Sequence, residues 1–398
     1  VQSQPAIDVS RDPAALADAF AEAYPGIGSD ALRIVRSPGR VNLIGEHTDY
    51  NEGFVLPAAI DLGVSVAFVP SPDRRVEMVR LGPNERDGFH LDDVGSRRGR
   101  WIDYVAGMAW ALAEHGLSTT GFRGLVAADL PVGAGLASSA AFELAAAWAL
   151  SAGDRPAVEP MSLARLAQRA ENEYVGVRCG LMDQFAAVFG RADHALFLDC
   201  RSLEHRPVRL PVDEVALVVC HTGTPRQLTT SAYNERRAEC DRAVVSLAEV
   251  ELGVRSLRDV SPELLERAHG RLEETAFRRA RHVVTENARV LATIEALAAS
   301  DVAEVGRLFA EGHASLRDDF EVGSLELDAL VDIAVTTPGV VAARPTGAGF
   351  GGCTINLVRH DAVAALRRRV NDEYPARTGR EATIWEVAAA AGAGPLGD

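Results

Sequence analysis

The residues best suited to chemistry gather in three short segments. Residues 37–53 read SPGRVNLIGEHTDYNEG, with Glu46, His47 and Asp49 crowded into four positions between apolar flanks (Val41, Leu43, Ile44 before; Phe54, Val55, Leu56 after). Such flanks set the loop against a core, where charged groups need partners. A polyhydroxylated ligand would supply them, because each carboxylate accepts two or more O–H hydrogen bonds. A metal is the rival partner, but one histidine with two acids has no recognisable ligand spacing.

Residues 130–141 read LPVGAGLASSAA and lie between a strand and a helix. The first N–H groups of a helix lack intrahelical acceptors, and its dipole favours an anion there. Gly133 and Gly135 would let the backbone approach a phosphate, while Ser138 or Ser139 would cap the helix or ligate Mg²⁺. For an isolated GxG the plainer reading, an N-cap after a glycine turn, is the commoner one. Residues 344–353 read RPTGAGFGGC, ahead of a strand rather than a helix. That many glycines suit close packing of main chain against another loop or a ligand.

The elements that must carry these segments follow from periodicity. Residues 13–23 predict a helix with Pro13 in its first turn, and 33–36 a strand entering a turn at Ser37, Pro38 and Gly39. Val64, Val66 and Phe68 alternate with Ser65 and Ala67 as in a strand. Tyr104, Val105, Met108 and Leu112 recur at helical spacing, with Gly116 placed to end that helix. A strand over 124–132 leads through the second segment into an alanine-rich helix over 138–151, and Leu163, Leu166, Ala167, Ala170 and Tyr174 mark another helix. Residues 215–220 are wholly apolar and predict a buried strand. A helix-rich stretch over 231–336 has breaks at Gly253 and Gly270, and Cys353, Ile355 and Leu357 alternate in a strand after the third segment. The domain boundary falls near 210, around Pro207 and Pro211, and the Ala- and Gly-rich residues 388–398 read as a frayed tail.

Composition narrows the chemistry. All 41 basic residues are arginine; the chain has no lysine. That excludes a Walker-A loop, the protein-kinase strand lysine, Schiff-base catalysis and pyridoxal chemistry. Phosphate would have to be held by backbone N–H groups, arginines and metal. The 398 residues allow two or three domains, and a net charge of −15 without a basic block argues against nucleic acid or an anionic membrane as partner. Apolar runs such as 144–150 fall far short of the ~20 residues that span a bilayer. Residues 1–5 (VQSQP) show no signal-peptide pattern, and five scattered cysteines form no CxxC pair or disulfide framework, so the expected compartment is the cytoplasm.

In this order and at these separations, the segments resemble the three motifs of the GHMP small-molecule kinases, and GRVNLIGEHTDYNEG resembles the galactokinase signature throughout. Further resemblances are GLMDQ at 180–184, SAYNERR at 231–237 and HVVTENARV at 282–290. The resemblance implies an α+β, two-domain fold: a ribosomal-protein-S5-like N-terminal domain over 1–210, a ferredoxin-like C-terminal domain over 211–398, and the active site in the cleft between them. It implies ATP-dependent phosphorylation of α-D-galactose at the C1 hydroxyl, the first committed step of galactose catabolism. By the same resemblance Asp183 matches the catalytic aspartate beside that hydroxyl, and Arg40 the arginine that pairs with it and stabilises transition-state charge. Gly133, Ala134, Gly135, Leu136, Ala137, Ser138 and Ser139 match the ATP phosphate loop. Ser139 and Glu171 match the Mg²⁺ ligands. Glu46, His47, Thr48, Asp49, Gly180 and Tyr233 match sugar-contacting positions, and Trp101 the border of the adenine pocket. The implied partners are galactose and ATP, with no nucleic acid or membrane, in a monomer or homodimer.

The residues agree with those roles. Glu171 follows Ala170 at the edge of an apolar helix stripe, where a carboxylate is expensive unless it meets a cation. An arginine partner would keep Asp183 ionised, and a loose phosphoryl-transfer transition state asks little of a base, so Asp183 reads as orienter and late proton acceptor. Of the ten histidines only His47 has a functional reading, the others being surface or packing residues. Cys179 and Cys353 read as small buried hydrophobes, and the pairs Arg236-Arg237 and Arg278-Arg279 as solvated helix faces. The chain departs from the family pattern at Ala137, usually serine; over 222–228, which lacks a histidine; and at Gly323, usually small and polar. The competing readings are a kinase for N-acetylgalactosamine or arabinose, and a non-catalytic galactose- and ATP-binding regulator.

Overall fold

The computed structural model describes residues 9–131, 133–224 and 229–396. Residues 1–5, Val132 and 225–228, which figure in the sequence reading, lie outside the described residues.

The first helix, Pro13–Ala23, starts where Asp12 accepts the N–H groups of Ala14 and Ala15 at 2.9 and 3.3 Å and Pro13 presets the first turn. Its Leu16 and Phe20 pack on one face of a six-stranded sheet ordered Gly394–Pro395, Arg33–Asn42, Pro57–Ser71, Gly121–Ala128, Arg75–Arg80 and Glu85–His90. All neighbours pair antiparallel except Arg75–Arg80 against Gly121–Ala128. In the long strand Pro57–Ser71, Val64, Val66 and Phe68 enter the main core, while Ala67 faces Leu16 and Phe20. The alternation read from sequence thus separates two covered faces rather than a buried face and a wet one. The main core is closed by the helices Asp103–Glu114, Ser138–Leu150 and Pro160–Arg169.

Two elements differ from expectation. Ser37, Pro38 and Gly39 do not turn: the strand runs on to Asn42 with a bulge between Pro38 and Gly39. A bulge bends a strand without ending it, and here it brings Gly39 so near the second segment that a Cβ would lie 2.6 Å from the Leu136 carbonyl. The tail is not frayed over its described part. Ala390, Gly392, Ala393 and Leu396 donate to the carbonyls of Ala59, Gly190, Ala187 and Ile34, and Gly394–Pro395 pairs with Val35 and Arg36. Small residues there let the chain lie flat along a sheet edge that would otherwise be unpaired.

In the C-terminal half, Val340–Thr346, Cys353–Arg359, Val215–His221 and Thr383–Val387 form a four-stranded antiparallel sheet in that spatial order. Counted along the chain this is 2-3-1-4, the expected ferredoxin-like arrangement. Ala216, Val218 and Cys220 face the helices Leu325–Val335 and Val363–Thr378, while Val215, Leu217 and Val219 join the main core of the other half. Burial on both faces explains the unbroken apolar run. A small sheet of Phe54–Val55, His194–Asp199 and His205–Arg209 lies beside the first segment.

The helices Thr229–Val250 and Glu274–Ala298 are joined by arginines expected to be solvated. Arg279 is 1% exposed; its Nε donates to Glu239 Oε2 at 2.7 Å, Nη2 to Glu321 Oε2 at 2.6 Å and Nη1 to the Asp319 carbonyl. Arg236 reaches the same Glu239 and the Phe320 carbonyl, and Arg237 the Arg178 carbonyl. Arg279 and Arg236 lie on helix faces covered by packing rather than water, a distinction that adjacent arginines in sequence do not disclose. Removing one partner leaves buried charge uncompensated. Arg279→Ala is therefore expected to lower unfolding free energy by about 3 kcal/mol or more, measured by urea denaturation; a loss under about 0.5 kcal/mol would assign the pair to the surface class.

Candidate active site

The end of strand Arg33–Asn42 carries Arg40 to the wall of a cavity of about 200 Å³. Arg40 is 5% exposed, and each of its donors is directed. Its backbone N–H meets the Leu136 carbonyl at 3.0 Å, Nη1 the Gly135 carbonyl at 2.6 Å, and Nε and Nη2 lie 2.9 and 2.7 Å from Asp183 Oδ1. Asp183 sits in the first turn of helix Met182–Phe189, where a negative charge is favoured, and its carboxylate lines the cavity.

Opposite, helix Ser138–Leu150 points its N-terminus at the same space. Neither serine caps it: the N-cap is Ala137, in a left-handed conformation at φ 63°, with no side-chain cap. The first intrahelical backbone bond runs from Ala141 to Ala137. The preceding N–H groups thus stand at the cavity, which Gly133, Gly135, Ala137, Ser138 and Ser139 line. Ala134 and Leu136 do not: their side chains enter the core. They act through main chain, with the Ala134 carbonyl accepting Cys353 Sγ–H at 3.2 Å and the Leu136 carbonyl accepting Arg40 N–H.

Glu171 lies in a single π-helical turn, Ala170–Val175, that re-aims it into the cavity wall. Burial first, then the charge of Asp183, pushes its pKa up to about 7 against the hydroxyl of Ser139, the Cys179 thiol and the Gln184 amide. Gln184 Nε2 donates to Glu171 Oε2 at 2.7 Å, and Cys179 Sγ lies 3.4 Å from it. Cys179 therefore faces the site rather than acting as a plain hydrophobe. Sequence reasoning missed Glu143, which lies wholly buried behind these groups; burial, then Glu171 and Asp183, raise its pKa well above the ordinary carboxylate range. Both Glu143 oxygens and Gln184 Oε1 are buried, and the Gln184 side chain stands beside Glu143. Its spacing from Ser139, one helical turn, was the available signal.

A divalent cation fits here. Glu171 and Asp183 repel each other at low solvation, and the Ser139 hydroxyl stands beside Glu171. Among the described residues no group of three or more His, Cys, Asp or Glu side chains forms a metal cluster. One or two protein ligands completed by substrate phosphates is the pattern of Mg²⁺.

The loop after Gly45 closes the third side. His47, at φ 62°, is buried; its Nε2–H donates to the Ala348 carbonyl (3.2 Å) and its Nδ1 accepts the Tyr50 hydroxyl (2.9 Å). Desolvation lowers its pKa to about 3. Tyr233 and Phe320 pack against its ring at centroid distances of 5.6 and 4.6 Å. Asp49 is pushed up to about 6 by burial and by Asp183. Its Oδ2 lies 1.7 Å from where a Cβ on Gly180 would stand, so only glycine leaves room for that carboxylate. Glu46 lines the cavity with Oε1 unpartnered, while Oε2 pairs at 2.6 Å with Arg344, itself fully buried. Thr48, expected at the sugar, instead gives its hydroxyl to the Gly45 and Phe54 carbonyls of its own loop and does not line the cavity.

The third segment ties the other two together. Thr346 Oγ1 exchanges hydrogen bonds with Asn42 N–H and C=O, Ala348 meets His47, and Cys353 meets Ala134. A neighbouring cavity of about 290 Å³ shares Ser138 and Ser139 with the first and is walled by Trp101, Tyr104, Phe142 and Leu81.

Two outcomes follow from this geometry. Since the folded pKa of His47 is depressed, its contribution to stability is present above the unfolded value near 6.5 and is lost as pH falls toward 3. Imidazole ¹⁵N shifts at pH 5 are expected to show neutral His47 with the proton on Nε2; an imidazolium there would contradict the assignment. Gly180→Ala is expected to cost about 1–3 kcal/mol by overpacking against Asp49, seen as a lowered denaturation midpoint.

The sequence matches the galactokinase galactose-binding signature over residues 18–70 and the N- and C-terminal domains of GHMP kinases over 103–191 and 293–376. A galactokinase of Roseiflexus sp. (strain RS-1) is 48% identical over 365 residues, covering 92% of this chain and 93% of the relative. One of Chloroflexus aurantiacus is 43% identical over 368 residues, covering 92% and 94%. The crystal structure of Lactococcus lactis galactokinase complexed with galactose superimposes with a TM-score of 0.91 at 37% identity, covering 96% of this chain and 98% of that one. Methanococcus jannaschii mevalonate kinase shares the fold at a TM-score of 0.65 and 18% identity, covering 90% and 98%. The expected α+β kinase fold is present, and the chain belongs to the galactokinase family of the GHMP kinases.

Proposed function

We propose that this chain transfers the γ-phosphoryl group of ATP to the C1 hydroxyl of α-D-galactose, giving α-D-galactose 1-phosphate and ADP, the step that commits galactose to catabolism. The observation that carries the reading is the Arg40–Asp183 pair, set between an uncapped helix N-terminus and a loop of buried hydrogen-bond acceptors. Glu46 Oε1 and the Asp49 carboxylate accept sugar hydroxyls, with His47, Gly180 and Tyr233 shaping the pocket. The 37%-identical galactokinase complexed with galactose supports that sugar. The N–H groups at 138–140 and the loop 133–137 take the phosphates of ATP, and the pocket of Trp101, Tyr104 and Phe142 takes the adenine.

Asp183 orients the C1 hydroxyl along the line of attack and accepts its proton late, as the new O–P bond forms. Arg40 keeps that carboxylate in place and offers positive charge where the transferred phosphoryl group becomes more anionic. Mg²⁺, held by Ser139 and Glu171, would neutralise phosphate charge when bound. Without lysine the chain relies on backbone dipoles, an arginine and that cation.

The same reading divides the chain into domains at 1–210 and 211–398, supported by a four-stranded sheet drawn wholly from 215–387, with residues 388–396 docking back on the first domain. Five free cysteines support a reducing cytoplasm, and no helix among the described residues is long and apolar enough to cross a membrane.

Asp183→Ala is expected to cut galactose-dependent ADP release by about 10²-fold or more, while galactose still raises the melting temperature. Comparable turnover in that variant would remove its assigned role. Faster turnover of N-acetylgalactosamine or arabinose by the native protein would reassign the substrate.

A further inference from the structure

The segment HVVTENARV, part of helix Glu274–Ala298, has no role in the chemistry above, and none of its residues lines the cavity. It nevertheless lies against the sugar loop. His282 and Glu286 fall at i and i+4, on one face of the helix, and Asn287 borders that face about 100° from Glu286. That face addresses main-chain groups at both ends of the loop. Glu286 Oε1 accepts Gly45 N–H at 3.0 Å, His282 Nε2 lies 3.1 Å from the Glu46 carbonyl, and Asn287 Oδ1 accepts Phe54 N–H at 2.9 Å. Val290 and Asn287 fill the space where Cβ atoms on Gly45 and Gly53 would stand. His282 is fully buried and its pKa is lowered to about 4 by desolvation, so it donates one N–H as a neutral ring.

The helix also reaches Glu46 itself. Arg344 Nη2 sits 2.6 Å from Glu46 Oε2 and 2.7 Å from Glu286 Oε1, with all three side chains essentially inaccessible. Glu286 thus holds the guanidinium that holds one oxygen of Glu46, a residue that lines the cavity. Loop residues 47–53 brace themselves, through Asn51 to the His47 carbonyl and Gly53 N–H to the Thr48 carbonyl. What they do not fix is where the loop stands relative to Asp183 and Gly180.

We propose that His282, Glu286 and Asn287 are positioning residues that set the stance of loop 45–53, and so the affinity for the sugar, without touching it. The proposal rests on the sugar-kinase reading above. A brace serving stability alone would lower the denaturation midpoint and leave the ratio of the two substrate KM values unmoved. A positioning role acts on one substrate only, because the phosphate loop has its own supports in Arg40 and Cys353.

The test compares truncations that delete one contact with replacements that keep it. His282→Leu removes the donor to the Glu46 carbonyl, whereas His282→Gln retains an N–H in the Nε2 position. Asn287→Ala removes the acceptor for Phe54 N–H, whereas Asn287→Asp retains it. The truncations are expected to raise KM for galactose about 10-fold, with KM for ATP within 2-fold; the replacements should restore KM for galactose to within about 3-fold of native. Equal shifts in both KM values, no shift, or replacements no better than truncations would overturn the proposal. Should the truncations not fold, the replacements decide it against His282→Asn, which moves the N–H to the wrong ring position and is expected to raise only the galactose KM. Amide hydrogen exchange gives an independent readout: Gly45 and Phe54 N–H are expected to be protected in the native protein, and Asn287→Ala should speed exchange at Phe54 at least 10-fold. Unprotected native amides sink the clamp, whereas absent galactose-dependent turnover with protection intact sinks only the sugar-kinase reading.

Discussion

A single guanidinium stands where the strand end, the glycine-rich loop 133–137 and the helix of Asp183 meet. Arg40 is nearly inaccessible, so its charge is tolerable only with directed partners, and it has them in Gly135 C=O and Asp183 Oδ1. The bulge at Pro38/Gly39 and the absence of a Cβ on Gly39 let the backbone come close enough for Arg40 N–H to reach Leu136 C=O. Moving any of the three would leave a buried charge or carbonyl unpaired. The glycine-rich loop 133–137 and the Asp183 carboxylate are thus held at one spacing by electrostatic necessity.

Around that pair the site gathers acids. Glu46, Asp49, Glu143 and Glu171 are each raised above the ordinary carboxylate range, burial being the first cause in every case. A folded protein accepts such strain where function requires it. Here Asp49 and Glu46 line the cavity on one side and Glu171 on the other. A net charge of −15 does not oppose ATP, because the relevant field comes from a helix terminus and Arg40 within a few ångströms.

The two halves of the chain are joined through the site rather than merely beside it. One face of the C-terminal sheet completes the main core through Leu217, Val219 and Ile355. The glycine-rich third segment pins the other two at Asn42, His47 and Ala134. Its glycines serve the close packing their number suggested, and no anion-binding helix follows them. The helix carrying His282, Glu286 and Asn287 then meets the sugar loop from outside the cavity.

Much of this was legible in the sequence, because a loop's chemistry is written in neighbouring residues. Glu46, His47 and Asp49 between apolar flanks point to buried polar groups that need partners, and the glycines at 133 and 135 point to a turn before the helix start at 138. The lack of lysine dictates that phosphate be met by backbone, arginine and metal. Tertiary structure decided which groups satisfy one another. Arg344, 298 residues from Glu46, takes one of its oxygens. His282 looked like packing and Arg279 like a wetted surface until distant helices covered them. Glu143 sits in an alanine-rich helix apolar on all sides, and only the packed structure shows which acids it stands beside. The reason is physical: residue type and local spacing set what a group can donate or accept, but desolvation and partnership depend on chain that returns from far away.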